Sequence, residues 1–163
     1  MNGFSLHTVD AGDVLPLRST KNILMTFEDT DRYQLFGERA DAEWAAASPL
    51  NDGYVHFGEG HRFFATAVAH EMHCVQVLRM SIANPAHPKV NYAHSAHCLN
   101  YLRVYALCNA DLTLEKFDPW KGNFTENQIA QTHVCRNWED AYDLFAENTK
   151  EWLGMGGNLR TPD

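Results

Sequence analysis

Two five-residue patterns, His70-Glu71-Met72-His73-Cys74 and His94-Ser95-Ala96-His97-Cys98, each set two imidazoles three positions apart and follow them with a thiol. Imidazole nitrogen and thiolate sulfur are ligands for first-row transition metals. On a helix, residues three apart share a face with Cβ atoms about 5–6 Å apart, so each pair can aim both rings at one point. With nine histidines and four cysteines in 163 residues, chance predicts roughly 0.01 copies of the pattern. Two copies therefore point to a metal site built from His70, His73, His94 and His97, and the spacing is compatible with one ion or two. The bland alternative is a set of satisfied core histidines.

The pattern separates itself from its look-alikes. Zincin proteases need histidines four apart, and c-type haem attachment needs Cys-x-x-Cys-His. Structural zinc favours Cys-x-x-Cys pairs. Di-iron bundles need several inward glutamates, and only Glu71 lies near, about 100° off the histidine face. Histidine-rich ligation with few carboxylates suits copper or zinc, and copper is the one that brings oxidative chemistry. An enzyme reading competes here with a non-catalytic copper or zinc carrier and with a structural zinc pin between helices.

The elements that must position these rings are mostly helical. Residues from about Arg62 to Ile82 read as one long helix that stops before Asn84-Pro85. A second helix is expected to start near Pro88 and run to about Asn109. The short connection favours antiparallel neighbours, with His73 and His97 each about nine residues from the turn, or roughly 13 Å. Both histidine pairs fall on inward, partly apolar faces, His70 and His73 with Phe63, Thr66, Cys74 and Val77, the other pair with Tyr101, Tyr105, Cys98 and Cys108. Upstream, Ile23 to Phe27 reads as a short strand, Glu38 to Ala47 as a helix ending at Ser48-Pro49, and Asn51-Asp52-Gly53 as a turn. A last helix runs to Leu153, starting near Thr125 (capping-box spacing to Gln128) or nearer Thr132, with Trp138, Tyr142, Phe145 and Trp152 as its buried stripe. The expectation is a mainly α protein: one domain over residues 1–163, a helical bundle with antiparallel metal-binding helices and an irregular or partly β N-terminal segment.

Composition excludes several partners. Thirteen basic against twenty-one acidic residues leave a net charge of −8, which argues against nucleic acid and against an anionic membrane surface. No run of about 18 apolar residues exists, so no transmembrane helix is expected, and no signal peptide is visible at the start. The triplet Asn123-Phe124-Thr125 is an N-glycosylation sequon of low specificity. Four cysteines permit disulfides without requiring them.

At these residues the chain resembles the UstYa-like fungal oxidases of ribosomal-peptide and other secondary-metabolite pathways. Beyond both His-x-x-His-Cys copies, the resemblance takes in Leu99-Asn100-Tyr101-Leu102-Arg103 and Cys108-Asn109-Ala110-Asp111-Leu112-Thr113-Leu114. It includes Thr132-His133-Val134-Cys135-Arg136-Asn137-Trp138, similar to a His-x-Cys-Arg element of the family, and Tyr33 and Trp44 upstream. It covers roughly residues 25–153. It implies copper-dependent oxidation with O2 of a peptide or other small-molecule precursor held in the secretory pathway, by oxidative cyclisation or C–H functionalisation, halogenation included. Many members begin with a membrane-spanning helix, and this sequence shows none. The expected location is the secretory lumen or outside the cell, with the cytosol as the alternative. Homo- or hetero-oligomers are both open.

The resemblance also implies roles for further residues. It favours a Cys108–Cys135 disulfide, because both fall in family elements. Cys74 and Cys98 have three readings: a second bridge, which is preferred because a thiolate beside redox copper is prone to oxidation; copper ligands; or small packing residues. His133 is a fifth candidate ligand, against an exposed polar histidine. On an unbroken last helix it would point towards Asp140 and Arg136, so ligation needs the helix to start after it or the site to lie on that side. Tyr101, with Tyr105, shares the histidine face. Its readings are a core aromatic with a satisfied hydroxyl or a redox-active or proton-donating catalytic tyrosine.

Overall fold

The computed structural model describes residues 15, 21–27, 30–58, 60–88, 90–114, 120 and 131–159. Two helices at its centre carry the paired motifs: α2 (Ala67–Ala83) and α3 (Tyr92–Asn109). Around them stand β1 (Asn22–Phe27), α1 (Glu38–Ala46), a 3-10 turn (Leu50–Gly53), β2 (Tyr54–Phe57), β3 (Arg62–Ala65), β4 (Gln131–Arg136) and α4 (Trp138–Gly154). The described chain is mainly helical with two small antiparallel sheets, β1–β4 and β2–β3.

Helix α2 is built from Ala, Met, Leu, Val and Gln, without Gly or Pro until Asn84-Pro85 ends it. Its start is fixed from outside, because the Thr66 hydroxyl donates to the Gly53 carbonyl (3.0 Å) and does not cap the helix. Gly53 has φ +68, and a Cβ built there would collide with Cβ of Ala69. The 3-10 turn thus packs its bare backbone against α2, one residue before His70. On another side of α2, the Gln76 amide donates to the Trp44 carbonyl (3.1 Å) and the Ser48 hydroxyl (2.7 Å), while Arg79 donates to the Leu35 carbonyl (2.8 Å). These bonds fix α1 against α2.

Helix α3 starts at Tyr92, four residues after the expected Pro88. Asn91 supplies the cap, its side-chain oxygen accepting from the backbone N–H of Ala93 (2.8 Å) and His94 (3.3 Å). Residues 84–88 and 90–91 lie in the turn, and the hydroxyls of Ser81 and Ser95 meet across the helices at 2.7 Å. The two helices run antiparallel, as expected.

Two segments expected as helix are strands. Arg62–Ala65 pairs with Tyr54–Phe57 in register Tyr54↔Ala65 to Phe57↔Arg62. Cross-strand packing overrides helical spacing here: the Tyr54 and Phe63 rings stack at 4.8 Å. Likewise Gln131–Arg136 is strand, paired with β1 from Asn22↔Arg136 to Phe27↔Gln131. Its alternation of Thr132, His133, Val134 and Cys135 suits a strand with His133 turned inward. The alternative start at Thr125, and the sequon, lie outside the described residues. The strand at 23–27, the helix from Glu38 and the turn at 51–53 stand where the sequence placed them.

Helix α4 packs chiefly on the 3-10 turn and β2. The Asn148 side chain clamps His56, accepting from its N–H and donating to its carbonyl, both at 2.8 Å. The Tyr142 hydroxyl donates to the Ala47 carbonyl (2.9 Å). Of the expected stripe, Phe145 is buried, Tyr142 and Trp152 are half-buried and Trp138 is exposed. The buried apolar residues among those described are Ala40, Val55, Ala69, Cys74, Cys98 and Phe145, so two of six are the motif cysteines. Cys74 and Cys98 place part of the interior one residue after His73 and His97 on their helices.

Candidate metal centre

The structure brings together all four histidines of the paired motif. Nε2 of His73 lies 3.2 Å from Nε2 of His94, and Nε2 of His97 lies 3.4 Å from Nε2 of His70. The turn-proximal histidines thus face each other, and so do the turn-distal ones. This corrects the level estimate that set His73 opposite His97. Ring centroids are 5.2 and 5.4 Å apart across the helices, against 6.2 and 6.4 Å along them. The cluster is therefore two cross-helix pairs, stacked along the hairpin.

These distances fit a metal. A tetrahedral ion with nitrogens at about 2.0–2.1 Å holds two of them about 3.3–3.4 Å apart. Without an ion, each pair can share an N–H···N bond at the same separation. Among the described residues, three ligand atoms close to within 4.8 Å of one another in one group: His73, His94 and Cys98. The turn-proximal pair therefore has a sulfur at hand. The turn-distal pair has a phenol instead, with the Tyr101 ring 4.1 Å from that of His70 and 6.0 Å from that of His97.

Burial differs from expectation. His73 and His97 are exposed and His70 and His94 half-buried, whereas Cys74 and Cys98 are wholly buried. The inward positions belong to the thiols, one residue further along each helix, and the rings form a layer reached by solvent. Burial, then the neighbouring His97 and His94, pulls the His70 imidazole below its ordinary range. That favours the neutral, ligating form. Burial pushes the Cys74 thiol up to about 12, helped by Cys98 beside it. Burial also raises the Glu71 carboxyl.

All four cysteines are free thiols in this structure: Cys74 and Cys98 buried and adjacent, Cys108 exposed on α3, and Cys135 half-buried on β4.

His133 has other partners than the four rings. It is buried on β4, stacked on Phe27 (centroids 4.1 Å), with Nδ1 2.6 Å from a carboxylate oxygen of Asp111. The orientation towards Asp140 and Arg136 followed from a helix that is a strand here. The His133–Asp111 contact ties the β1–β4 ribbon to the end of α3, and no local sequence signal announces it. Asp111 also accepts from the backbone N–H (2.9 Å) and hydroxyl (2.6 Å) of Thr113. Thr113 first, then His133, holds the Asp111 carboxyl at about 2, below its ordinary 3.8. A depressed carboxyl stabilises the fold fully above its unfolded value and loses that contribution as pH falls through the folded value. Thermal melts should therefore show this contribution disappearing between about pH 4 and about pH 2. In Asp111→Asn, stability at neutral pH drops and the acid limb flattens across that window. Parallel acid limbs would refute the role.

Among the described residues, no helix is long and apolar enough to cross a membrane. No solved structure matches the chain. It is 33% identical to the UstYa family oxidase phomYd of Diaporthe leptostromiformis over 95 residues, covering 55% of this chain and 31% of that one. It is 32% identical to the UstYa family oxidase VicYc of Bipolaris victoriae over 75 residues (44% of this chain, 75% of that one). To the hydroxylase cctR of Talaromyces islandicus it is 29% identical over 103 residues (58% and 38%). The chain spans about a third of the length of the first curated relatives it matches. The family model for the mycotoxin biosynthesis protein UstYa matches residues 18–148, a stretch that holds both histidine motifs, Tyr101, Asp111 and His133, and by that match this chain belongs to the UstYa family.

Proposed function

We propose that this chain is a copper-dependent oxidase of secondary-metabolite biosynthesis, acting with O2 on a peptide or other small-molecule precursor. The observation that carries the proposal is the meeting of four Nε2 atoms in two cross-helix pairs at tetrahedral bite distance. The names of the relatives, oxidases and a hydroxylase, support oxidative chemistry. Copper bound there would supply one-electron chemistry with O2. The residues of this chain would hold and orient it: His73 and His94 with Cys98 as one seat, His70 and His97 as the other, the Tyr101 ring lying beside that seat without ligating. Exposure of His73 and His97 gives a substrate access to the ring layer. The precursor would meet the protein in the secretory pathway, and the net charge of −8 suits a neutral or basic one.

Metal analysis of purified, copper-loaded protein tests this reading, together with oxygen uptake in the presence of ascorbate. Up to two coppers per chain and oxygen consumption that stops on chelation are expected. A second reading rests on the Cys98 sulfur, which a structural zinc site would also use. Zinc in place of copper, no oxygen uptake, and unfolding on chelation would select it.

A further inference from the structure

We propose that Tyr101 and Tyr105 form a redox relay that drains oxidising equivalents from the histidine cluster along α3 when no substrate is bound. The proposal rests on the copper-oxidase reading and assigns two residues to it that ligate nothing. Its basis is a continuous row of rings. The Tyr101 centroid is 4.1 Å from that of His70, and the Tyr105 centroid is 4.8 Å from that of Tyr101. His97, Tyr101 and Tyr105 follow at four-residue steps on one face of α3, so the row leads away from the cluster. Both tyrosines are half-buried. Two phenylalanines would fill the same space without the cost of sequestering two hydroxyls. The paired phenols call for a use, and the metal ligand against Tyr101 supplies one.

The step balances as follows. O2 is the oxidant: its reduction to two waters without substrate takes three electrons from a reductant such as ascorbate, with three protons from solvent, and the fourth electron is missing, which leaves a one-electron hole at the cluster. Tyr101 gives that hole one electron, and its phenolic proton passes to water by way of the Tyr105 hydroxyl. A neutral phenoxyl radical remains on Tyr101. A small-molecule reductant such as ascorbate returns one electron and one proton and restores the phenol. The relay protects the imidazoles, which would otherwise be oxidised themselves.

The test uses copper-loaded protein, reduced with ascorbate, exposed to O2 without substrate and freeze-quenched for electron spin resonance. An organic radical signal is expected, narrowed when the protein carries ring-deuterated tyrosine and lost in Tyr101→Phe. Peptide mass spectrometry should then find more oxidised His70 in Tyr101→Phe than in the unaltered protein, with copper per chain unchanged. The deuterated protein is unmutated, so a poorly folding variant does not disarm the test. Copper uptake and oxygen consumption with no tyrosine radical would overturn the relay alone. Failure to bind copper would sink the relay together with the oxidase reading.

Discussion

Replacing His73 and His94 together by alanine is expected to remove one of two copper equivalents and to leave the other in place. The two cross-helix pairs make this a sharp test, because each pair meets at bite distance while the separation along each helix is larger. A single His73→Ala change should weaken its own seat by more than about a hundredfold, beyond the 10–100-fold typical of losing an outer-shell partner. That corresponds to about 2.7 kcal/mol. The seat at His70 and His97 should change little. Competition titration against a chelator, with metal analysis of each variant, reads both quantities. If all four histidines prove necessary for a single ion, the two-seat reading fails. The motif then acts as one four-nitrogen site.

The second large effect is on stability. Gly53→Ala should destabilise the fold by about 2–5 kcal/mol, from two additive sources. Holding a residue with a Cβ at φ +68 costs about 1–2 kcal/mol. Forcing that Cβ into Ala69 adds an overpacking cost of about 1–3 kcal/mol. For a chain of this length the melting temperature should fall by roughly 5–15 °C. Gly58→Ala is the control, since Gly58 has φ +74 and nothing within 4 Å of the added Cβ. It should show the backbone cost alone. Equal shifts for the two variants would mean that the close approach to α2 contributes nothing. Because Ala69 precedes His70, Gly53→Ala should also weaken copper binding, whereas Gly58→Ala should not.

How much of this was legible in the sequence differs from residue to residue. The four histidines were, because a three-residue spacing on a helix is a local property and appears twice. Their pairing across the hairpin was off by one histidine, since it depends on where the turn lets the helices meet. Their exposure is not legible, because the period of a helix marks a face but not its depth. Cys74 and Cys98, one step round, take the interior. The strand at Arg62–Ala65 has the local look of the first turn of α2, as Phe63 and Thr66 fall at helical spacing, and only the partner strand reveals otherwise. His133 is the instructive case. Its strand partner is Met25, and its carboxylate partner Asp111 sits just beyond the end of α3. Neither relation leaves a trace in a local window. A strand whose partner lies a hundred residues away reads locally as whatever its neighbours suggest.

The two sheets and the hairpin also differ in how far the chain must loop to close them. His73 and His94 meet across 21 positions of chain, whereas Thr26 and Thr132, bonded through their hydroxyls in the β1–β4 ribbon, are 106 apart. Loop-closure entropy grows with the logarithm of length, so the ribbon costs about 1.4 kcal/mol more to close than the hairpin. Contacts between distant segments are also the slow ones to form. During synthesis α2 and α3 are complete before the β4 half of the ribbon exists. The four imidazoles can therefore come together on a chain whose first strand still waits for its mate.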